Sequence, residues 1–147
     1  MTLFRKGEVI EVAIADTAEG DACMGRLEGG IVVFVRGMSM PGDRVKAAIT
    51  KIKKNYLEAR LVEIVEPSPG RVGPACGHYG VCGGCKWQHV DYPRQGDFKR
   101  KLVADAITQL GGFTDVPVRE VIASEHAYGY RNKVDFTFSN ERFILTE

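Results

Sequence analysis

The sequence of 147 residues lacks the apolar stretches that a membrane-spanning or exported protein carries. No run is long enough to cross a bilayer, and residues 1–8 contain no apolar core of a signal peptide. We therefore predict a cytoplasmic protein that is not associated with a membrane. In that compartment its four cysteines are expected to be metal ligands or redox groups. A disulfide between Cys82 and Cys85 in a secreted protein is the alternative.

The chain also lacks a large net charge, because its 20 Lys/Arg and 19 Asp/Glu nearly cancel. The two signs are not evenly distributed along the chain, however. Residues 1–66 carry ten basic and ten acidic side chains, whereas residues 71–101 carry six basic and two acidic ones. Such a basic patch attracts phosphate, although an excess of four charges also serves simply to solvate a surface. A hydrophobic fraction of 44% is that of a soluble globular protein.

The first 66 residues show the period-two alternation of short β-strands. We predict strands at 8–15, 24–27, 31–35, 44–49 and 56–61, separated by turns that are rich in glycine, proline or asparagine. The run at 31–35 is apolar throughout, which predicts a strand covered on both faces. Five short strands in about 60 residues favour a closed barrel of the OB type, since closure removes exposed edges.

The fold class that follows is mainly β with α. We predict an OB-like barrel over residues 1–66, a linker and cysteine loop over 67–90, and an incomplete α+β domain with one helix over 91–147. The two prolines within residues 67–69 interrupt the strand pattern and are typical of a boundary.

Three short segments of the predicted barrel, residues 25–26, 33–35 and 41–45, resemble the motifs of a TRAM domain. TRAM domains are RNA-binding barrels attached to RNA-modifying enzymes. The resemblance implies that the barrel as a module binds RNA, and we take Arg26, Phe34 and Arg36 as its candidate contacts. In the simpler interpretation Phe34 belongs to the core, and the two arginines are solvated charges.

Three cysteines lie within ten residues of one another as Cys76, Cys82 and Cys85, interleaved with glycines. This spacing lets three thiolates converge on one metal centre, but a tetrahedral site needs a fourth ligand. His78 or His89 would complete a zinc site, whereas an iron–sulfur cluster takes another cysteine from elsewhere. Cys23 lies in the predicted barrel and is expected to be a small, partly buried apolar residue. Spacing alone slightly favours zinc.

The three cysteines together with Gln88 and His89 resemble the cluster motif of bacterial RNA uracil-C5 methyltransferases. That family makes 5-methyluridine in ribosomal or transfer RNA. The resemblance implies a 4Fe–4S cluster held by Cys76, Cys82, Cys85 and a distant fourth cysteine, with zinc as the alternative. No cysteine follows Cys85, so the chain is predicted to hold at most an incomplete, oxygen-labile cluster.

The remaining residues predict one helix and the beginning of a sheet. A helix is expected from Asp91, as its cap, to Leu110, with an apolar face that is buried and a stop at residues 111–112. Strands are expected at 116–122, 133–138 and 142–145. The run 130–133 resembles a segment near the RNA path in the same family. The RNA contacts predicted outside the barrel are Lys86, His89, Lys99, Arg100, Arg131 and Lys133.

The sequence contains no strand–glycine-rich loop–helix unit for S-adenosylmethionine, and no spare cysteine beside a base for nucleophilic attack on uracil. We therefore predict a monomeric, RNA-binding N-terminal part of an S-adenosylmethionine-dependent uracil-C5 methyltransferase acting on RNA, with 23S rRNA as the expected substrate. This chain alone is not expected to be active. The alternatives are a free-standing RNA-binding module with a zinc knuckle and a redox sensor. A radical enzyme that thiolates transfer RNA would need a tighter cysteine spacing, with the barrel at the other end.

Overall fold

The computed structural model describes residues 4–18, 20–82, 84–130, 132–133, 137–139 and 142–144. The chain divides into two compact units, Met1–Arg71 and Val72–Glu147.

The first unit is a closed barrel of five strands. Their bounds are β1 Val9–Thr17, β2 Ala22–Arg26, β3 Val32–Arg36, β4 Arg44–Ile52 and β5 Tyr56–Glu66. The strand order around the barrel is β1-β2-β3-β5-β4. The pair β3–β5 is parallel and the other four pairs are antiparallel. The prediction of a five-stranded OB-like barrel is confirmed.

Inward-facing residues of all five strands build one hydrophobic core. In β1 the side chains of Ile10, Val12 and Ile14 are buried while their neighbours are exposed, as period-two alternation requires. In β3 Val33 and Val35 are completely buried, but the residues between and beside them are only half-buried or exposed. The prediction that this strand is covered on both faces is therefore wrong, because its second face is a surface of the barrel.

The contact between β1 and β2 depends on a glycine. Gly25 pairs with Ile14, and the register shifts directly afterwards. A Cβ atom at Gly25 would lie 2.2 Å from the carbonyl oxygen of Ala13 and 2.6 Å from Cγ2 of Val12. Both distances are well below van der Waals contact, so only glycine fits between these strands.

A buried carboxylate organises the turn before β4. The side chain of Asp43 is inaccessible to solvent. One carboxylate oxygen accepts a hydrogen bond from the Met40 N–H and the other from the Ser68 N–H, each at 2.8 Å. The Arg71 guanidinium donates to the same carboxylate and also, at 2.7 Å, to the Met38 carbonyl oxygen. Asp43 thus fixes the segment that follows β5 against the turn that precedes β4.

The second unit contains the helix α1, Tyr92–Gln109, with Pro93 in its first turn and Leu110 as C-cap. The predicted helix and its bounds are confirmed. Asp91 occupies the N-cap position, but its side chain makes no capping hydrogen bond and instead pairs with Arg94 at 3.4 Å. The helix has no fully buried residue, and Leu110 is 88% exposed. The predicted buried face is formed only in part, since Phe98, Leu102 and Ile107 are half-buried and the Phe98 ring meets Trp87 edge to face.

The strand predicted at 116–122 is wrong, since the described residues from 113 to 130 form no strand. Pro117 has no N–H to donate to a neighbouring strand, and Ile122 is 97% exposed. Two short strands follow, β6 Thr137–Ser139 and β7 Arg142–Ile144, and they pair antiparallel. They correspond to the last predicted hairpin, of which residues 134–136, 140–141 and 145 lie outside the described residues.

Within the described part of the chain, no helix combines the length and the hydropathy that a bilayer crossing requires.

Candidate nucleic-acid interface and cysteine loop

The outward-facing residues of three neighbouring strands form one surface of the barrel, which we call the outer β3 face. The pairing of β2 with β3 and of β3 with β5 fixes their positions. Three rows cross the strands in register: Arg26–Val32–Tyr56, Met24–Phe34–Glu58 and Ala22–Arg36–Arg60. All of these residues except Ala22, which is buried, are exposed or half-buried.

Two aromatic side chains lie in neighbouring rows of the outer β3 face, Phe34 in the central row and Tyr56 in the end row that also holds Arg26. The rings of Phe34 and Tyr56 meet edge to face, with centroids 5.4 Å apart and an interplanar angle of 87°. Both residues are half-buried, so each ring retains surface that solvent reaches. Phe34 was predicted as an RNA contact, and the structure places it on this surface. Tyr56 was missed, because only the parallel β3–β5 pairing brings it beside Phe34.

Three arginines lie at the ends of the same face. The Arg26 guanidinium donates to the Gly30 carbonyl oxygen at 3.2 Å, and Arg36 pairs with Asp21 at 3.0 Å. The side chain of Arg60, which lies beside Arg36, makes no hydrogen bond or ion pair with the described residues. Both members of the Arg36–Asp21 pair are largely exposed, and such pairs contribute little to stability. The three cations therefore remain available to a polyanion.

Fewer basic side chains in the predicted patch at 71–101 lack a protein partner than the number of basic residues suggests. Arg71 is bound to the buried Asp43 in the first unit. Among the basic residues of the second unit, Lys101 pairs with Asp105 at 2.6 Å, and Arg100 donates to the Val118 carbonyl oxygen at 3.0 Å. Lys86 and Lys99 are exposed and have no such partner within the described ranges.

A cleft of about 360 Å³ lies beside the N-terminal half of α1. Its lining includes the bases Lys99 and Arg100 and the acids Asp97 and Glu120, so its charges are mixed. The predicted contact Arg131 lies outside the described residues, and Lys133 is exposed.

The cysteine loop is held by hydrogen bonds between protein groups. The Cys76 N–H donates to Oε1 of Gln88 at 3.1 Å, and the Cys82 N–H donates to the His78 carbonyl oxygen at 3.0 Å. The Tyr79 hydroxyl donates to the Lys86 carbonyl oxygen at 2.8 Å. These contacts close the loop onto itself.

His89 is buried inside this loop, with 2% of its surface exposed. Its Nδ1 contacts the Tyr79 hydroxyl, and the two rings lie 5.8 Å apart. The Gln95 side chain donates to the carbonyl oxygens of Trp87 and Val90 on either side. This position gives the histidine a role in holding the loop and leaves its ring almost no surface for a direct RNA contact.

The three loop cysteines have the right chemistry for a metal but are not arranged around one. All are reduced, with Cys76 and Cys85 exposed and Cys82 half-buried. Within residues 4–18, 20–82 and 84–130 and the short described segments beyond, no three His, Cys, Asp or Glu side chains are placed to hold one ion. The described geometry therefore does not fit a zinc ion or a cluster, and three thiolates are one short of a tetrahedral set.

Cys23 is excluded from such chemistry by its surroundings. It is 3% exposed, and its thiol donates to the Ser39 carbonyl oxygen at 3.2 Å. Burial raises the pKa of the Cys23 thiol from its ordinary value of 9.0 to about 11, because desolvation penalises the thiolate. The thiol is therefore both shielded from solvent and harder to ionise than an ordinary cysteine, which disfavours it as a nucleophile or a metal ligand.

This raised pKa predicts a loss of stability in alkali. The unfolded thiol ionises near pH 9, so the contribution of Cys23 is complete below pH 9 and declines as pH rises through about 11. The free energy of unfolding should fall by roughly 1.4 kcal/mol per pH unit in this window from this group. Urea titrations of the wild type and Cys23→Ala at pH 8 to 11 measure it; equal slopes for the two proteins would contradict the assignment.

Comparison with known proteins finds a TRAM domain and similar proteins that are named RNA methyltransferases. Residues 4–62 match the family model of the TRAM domain. A protein of Chlorobaculum tepidum named as an uncharacterized RNA methyltransferase is 50% identical over 142 residues, which are 97% of this chain and 29% of that protein. A Porphyromonas gingivalis protein with the same description is 44% identical over 88% of this chain and 27% of its own length.

Among solved structures, the chain is similar to the tRNA (uracil-54, C5)-methyltransferase of Pyrococcus abyssi in complex with S-adenosyl-L-homocysteine. The TM-score is 0.53 and the identity 28%, covering 90% of this chain and 28% of that one. The chain thus spans less than a third of the length of these relatives.

Proposed function

We propose that this chain, which carries a TRAM domain and is homologous to proteins named RNA methyltransferases, is the RNA-binding part of an S-adenosylmethionine-dependent RNA uracil-C5 methyltransferase. The observation that carries the proposal is the outer β3 face, where three arginines and two half-buried aromatic rings share one surface of the barrel. Guanidinium groups bind phosphate, and aromatic rings stack on bases. We further propose that the protein acts as a cytoplasmic monomer, with 23S rRNA as substrate.

In this proposal, base attack and methyl transfer are carried out by residues other than these 147. Attack on uracil needs an activated cysteine and a base, and methyl transfer needs a bound S-adenosylmethionine. Cys23 is buried and protonated, and the three loop cysteines are proposed as metal ligands. In this proposal the relatives' remaining length supplies catalysis, while this chain binds and orients the RNA.

The loop cysteines Cys76, Cys82 and Cys85 are proposed to hold a 4Fe–4S cluster in the parent enzyme, with a zinc ion as the alternative. Their sequence pattern and accessible thiols support this. The geometry described above lacks a converged ligand set, so no step of the reaction is assigned to the cluster.

The RNA-binding role predicts a charge-dependent affinity. Replacing both Arg36 and Arg60 by glutamine should weaken binding of a fluorescent single-stranded RNA and lower the slope of log K against log salt by about 1 to 2. The reason is that each lost phosphate contact no longer releases a counterion. Fluorescence anisotropy at several salt concentrations measures the slope. Lys99→Gln in the second unit should give a smaller change in the same direction.

Lys46→Gln is the matched control, because Lys46 lies on β4, which is not a neighbour of β3, and pairs with Glu63 at 2.9 Å. This variant should retain the wild-type slope. If the double arginine variant retained it too, the outer β3 face would not be the RNA surface.

Metal analysis tests the cofactor. Chain purified without oxygen should contain iron and sulfide in less than stoichiometric amounts, and its visible absorbance should bleach in air, because one thiolate ligand is missing. Cys85→Ser should lose the iron, whereas Cys23→Ser should retain it. Stoichiometric zinc without iron would instead favour the zinc alternative, and a full, air-stable cluster would contradict the incomplete ligand set.

A further inference from the structure

We infer that the cysteine loop is folded by its own side chains and does not need a metal ion to take its shape. The inference goes beyond the proposed function, because it concerns the loop alone and does not depend on RNA binding. In a zinc finger the metal gathers its ligands, and the chain is unfolded without it. In this loop a buried centre of protein groups takes the place of the metal.

The centre consists of His89 and Val90, each with 2% of its surface exposed. The Tyr79 hydroxyl donates to the Lys86 carbonyl oxygen at 2.8 Å and also contacts Nδ1 of His89. Since a hydroxyl both donates and accepts, this one side chain joins two separate points of the loop. The buried imidazole is tolerated because it has this polar partner.

Both ends of the loop are tied to the same centre. On the N-terminal side, the Val72 N–H donates to the His89 carbonyl oxygen at 3.0 Å. On the C-terminal side, the Gln95 side chain of α1 donates to the carbonyl oxygens of Trp87 and Val90, at 3.1 and 3.0 Å. The segment is therefore closed at both ends by protein groups, and α1 supports it.

The cysteines enter this arrangement only through their backbone. The Cys76 N–H donates to Oε1 of Gln88, and the Cys82 N–H donates to the His78 carbonyl oxygen. Within the described residues, the Sγ atoms of these two cysteines and of Cys85 make no hydrogen bond and no disulfide. Serine at the three positions would keep both backbone bonds. The shape of the loop therefore does not require thiols that converge on one ion, in agreement with their placement.

The test uses Trp87, the single tryptophan of the chain, whose ring meets the Phe98 ring with centroids 5.9 Å apart. The full chain, reduced and treated with EDTA, should emit to the blue of the urea-unfolded chain. The amides of Val72 and Val90, both hydrogen-bonded, should be protected from hydrogen exchange. Replacing all three loop cysteines by serine should leave the emission maximum unchanged and both protection factors within about threefold of the wild type.

Tyr79→Phe should do what the cysteine replacements do not. It removes the hydroxyl that joins Lys86 and His89, so both protection factors should fall about tenfold, as expected for a lost buried hydrogen bond, and the emission should shift to the red. Tyr128→Phe is the matched control, because it removes the hydroxyl of an exposed tyrosine, and it should change neither readout. Exchange at the amides of β1 shows whether the barrel is intact in each variant.

Two results would overturn the inference. One is a metal-free wild type with red-shifted emission and unprotected amides, both reversed by a stoichiometric amount of Zn²⁺ or by ferrous iron with sulfide. The other is a serine variant that loses protection while Tyr79→Phe retains it. Should Tyr79→Phe fail to fold, the EDTA-treated wild type and the serine variant decide the question.

Discussion

Replacing Asp43 by alanine is expected to lower the free energy of unfolding by about 3 to 5 kcal/mol, because it removes one partner of a buried ion pair. The carboxylate has no solvent-accessible surface, and the Arg71 side chain is only 18% exposed. In the variant the guanidinium keeps its burial but loses its counter-charge, and the N–H groups of Met40 and Ser68 lose their acceptor. Urea denaturation followed by circular dichroism measures the difference.

Asp21→Ala provides the matched control, since it also breaks an Asp–Arg pair, but an exposed one. Its expected cost is below about 1 kcal/mol. The double variant with Arg71→Ala should be less destabilised than the sum of the two single variants, because no unpaired charge remains buried. Equal costs for Asp43→Ala and Asp21→Ala would show that burial does not strengthen the role of this pair.

The barrel could be predicted from the sequence because its information is local. Ile10, Val12 and Ile14 alternate with exposed residues, and the turns between strands are short and rich in glycine. Alternation also places Val33 and Val35 inside. It could not show that Phe34 faces a surface, because an apolar run looks the same whether one face or two are covered.

Contacts between residues far apart in the chain could not be predicted from the sequence pattern. Arg71 was counted toward a basic patch, yet it pairs with Asp43, 28 residues earlier in the chain. Tyr56 and Arg60 were absent from the predicted RNA contacts for the same reason. Only the parallel pairing of β3 with β5 brings them beside Phe34 and Arg36.

In the second unit, too, features set by neighbouring residues could be predicted, whereas features set by contacts with distant residues could not. Pro93 and the glycines after Leu110 marked the ends of α1 correctly, since end signals are local. Burial of its apolar residues depends on a partner surface, and the sequence of the helix does not specify one. In the cysteine loop the spacing of the thiols was visible, whereas the hydrogen bond between Tyr79 and His89 that holds the loop was not.

Asp43 and Gly25 share a role that links fold to proposed function. Both belong to the motifs by which the barrel resembles a TRAM domain, and neither lies on the outer β3 face. Asp43 fixes the turn before β4, and Gly25 lets β1 approach β2. The resemblance therefore rests partly on residues that shape the barrel rather than on residues that would touch RNA.

Gly25→Ala is expected to destabilise the barrel by about 3 kcal/mol or more, because the added methyl group has no space. It would lie 2.2 Å from the Ala13 carbonyl oxygen, which is backbone and cannot rotate away. Relief requires β1 and β2 to separate at the point where their register already shifts. Since Gly25 is adjacent to Met24 and Arg26 on the outer β3 face, RNA affinity should fall together with stability.

Gly73→Ala is the control for this prediction, because no atom lies within 4 Å of the position where its Cβ would stand. Its free energy of unfolding should change by less than about 1 kcal/mol in either direction. Urea titration of both variants and hydrogen exchange at the amides of β1 and β2 distinguish the two sites. A Gly25→Ala protein with wild-type stability and protection would mean that the strands yield without cost, and close packing at Gly25 would then not explain the glycine.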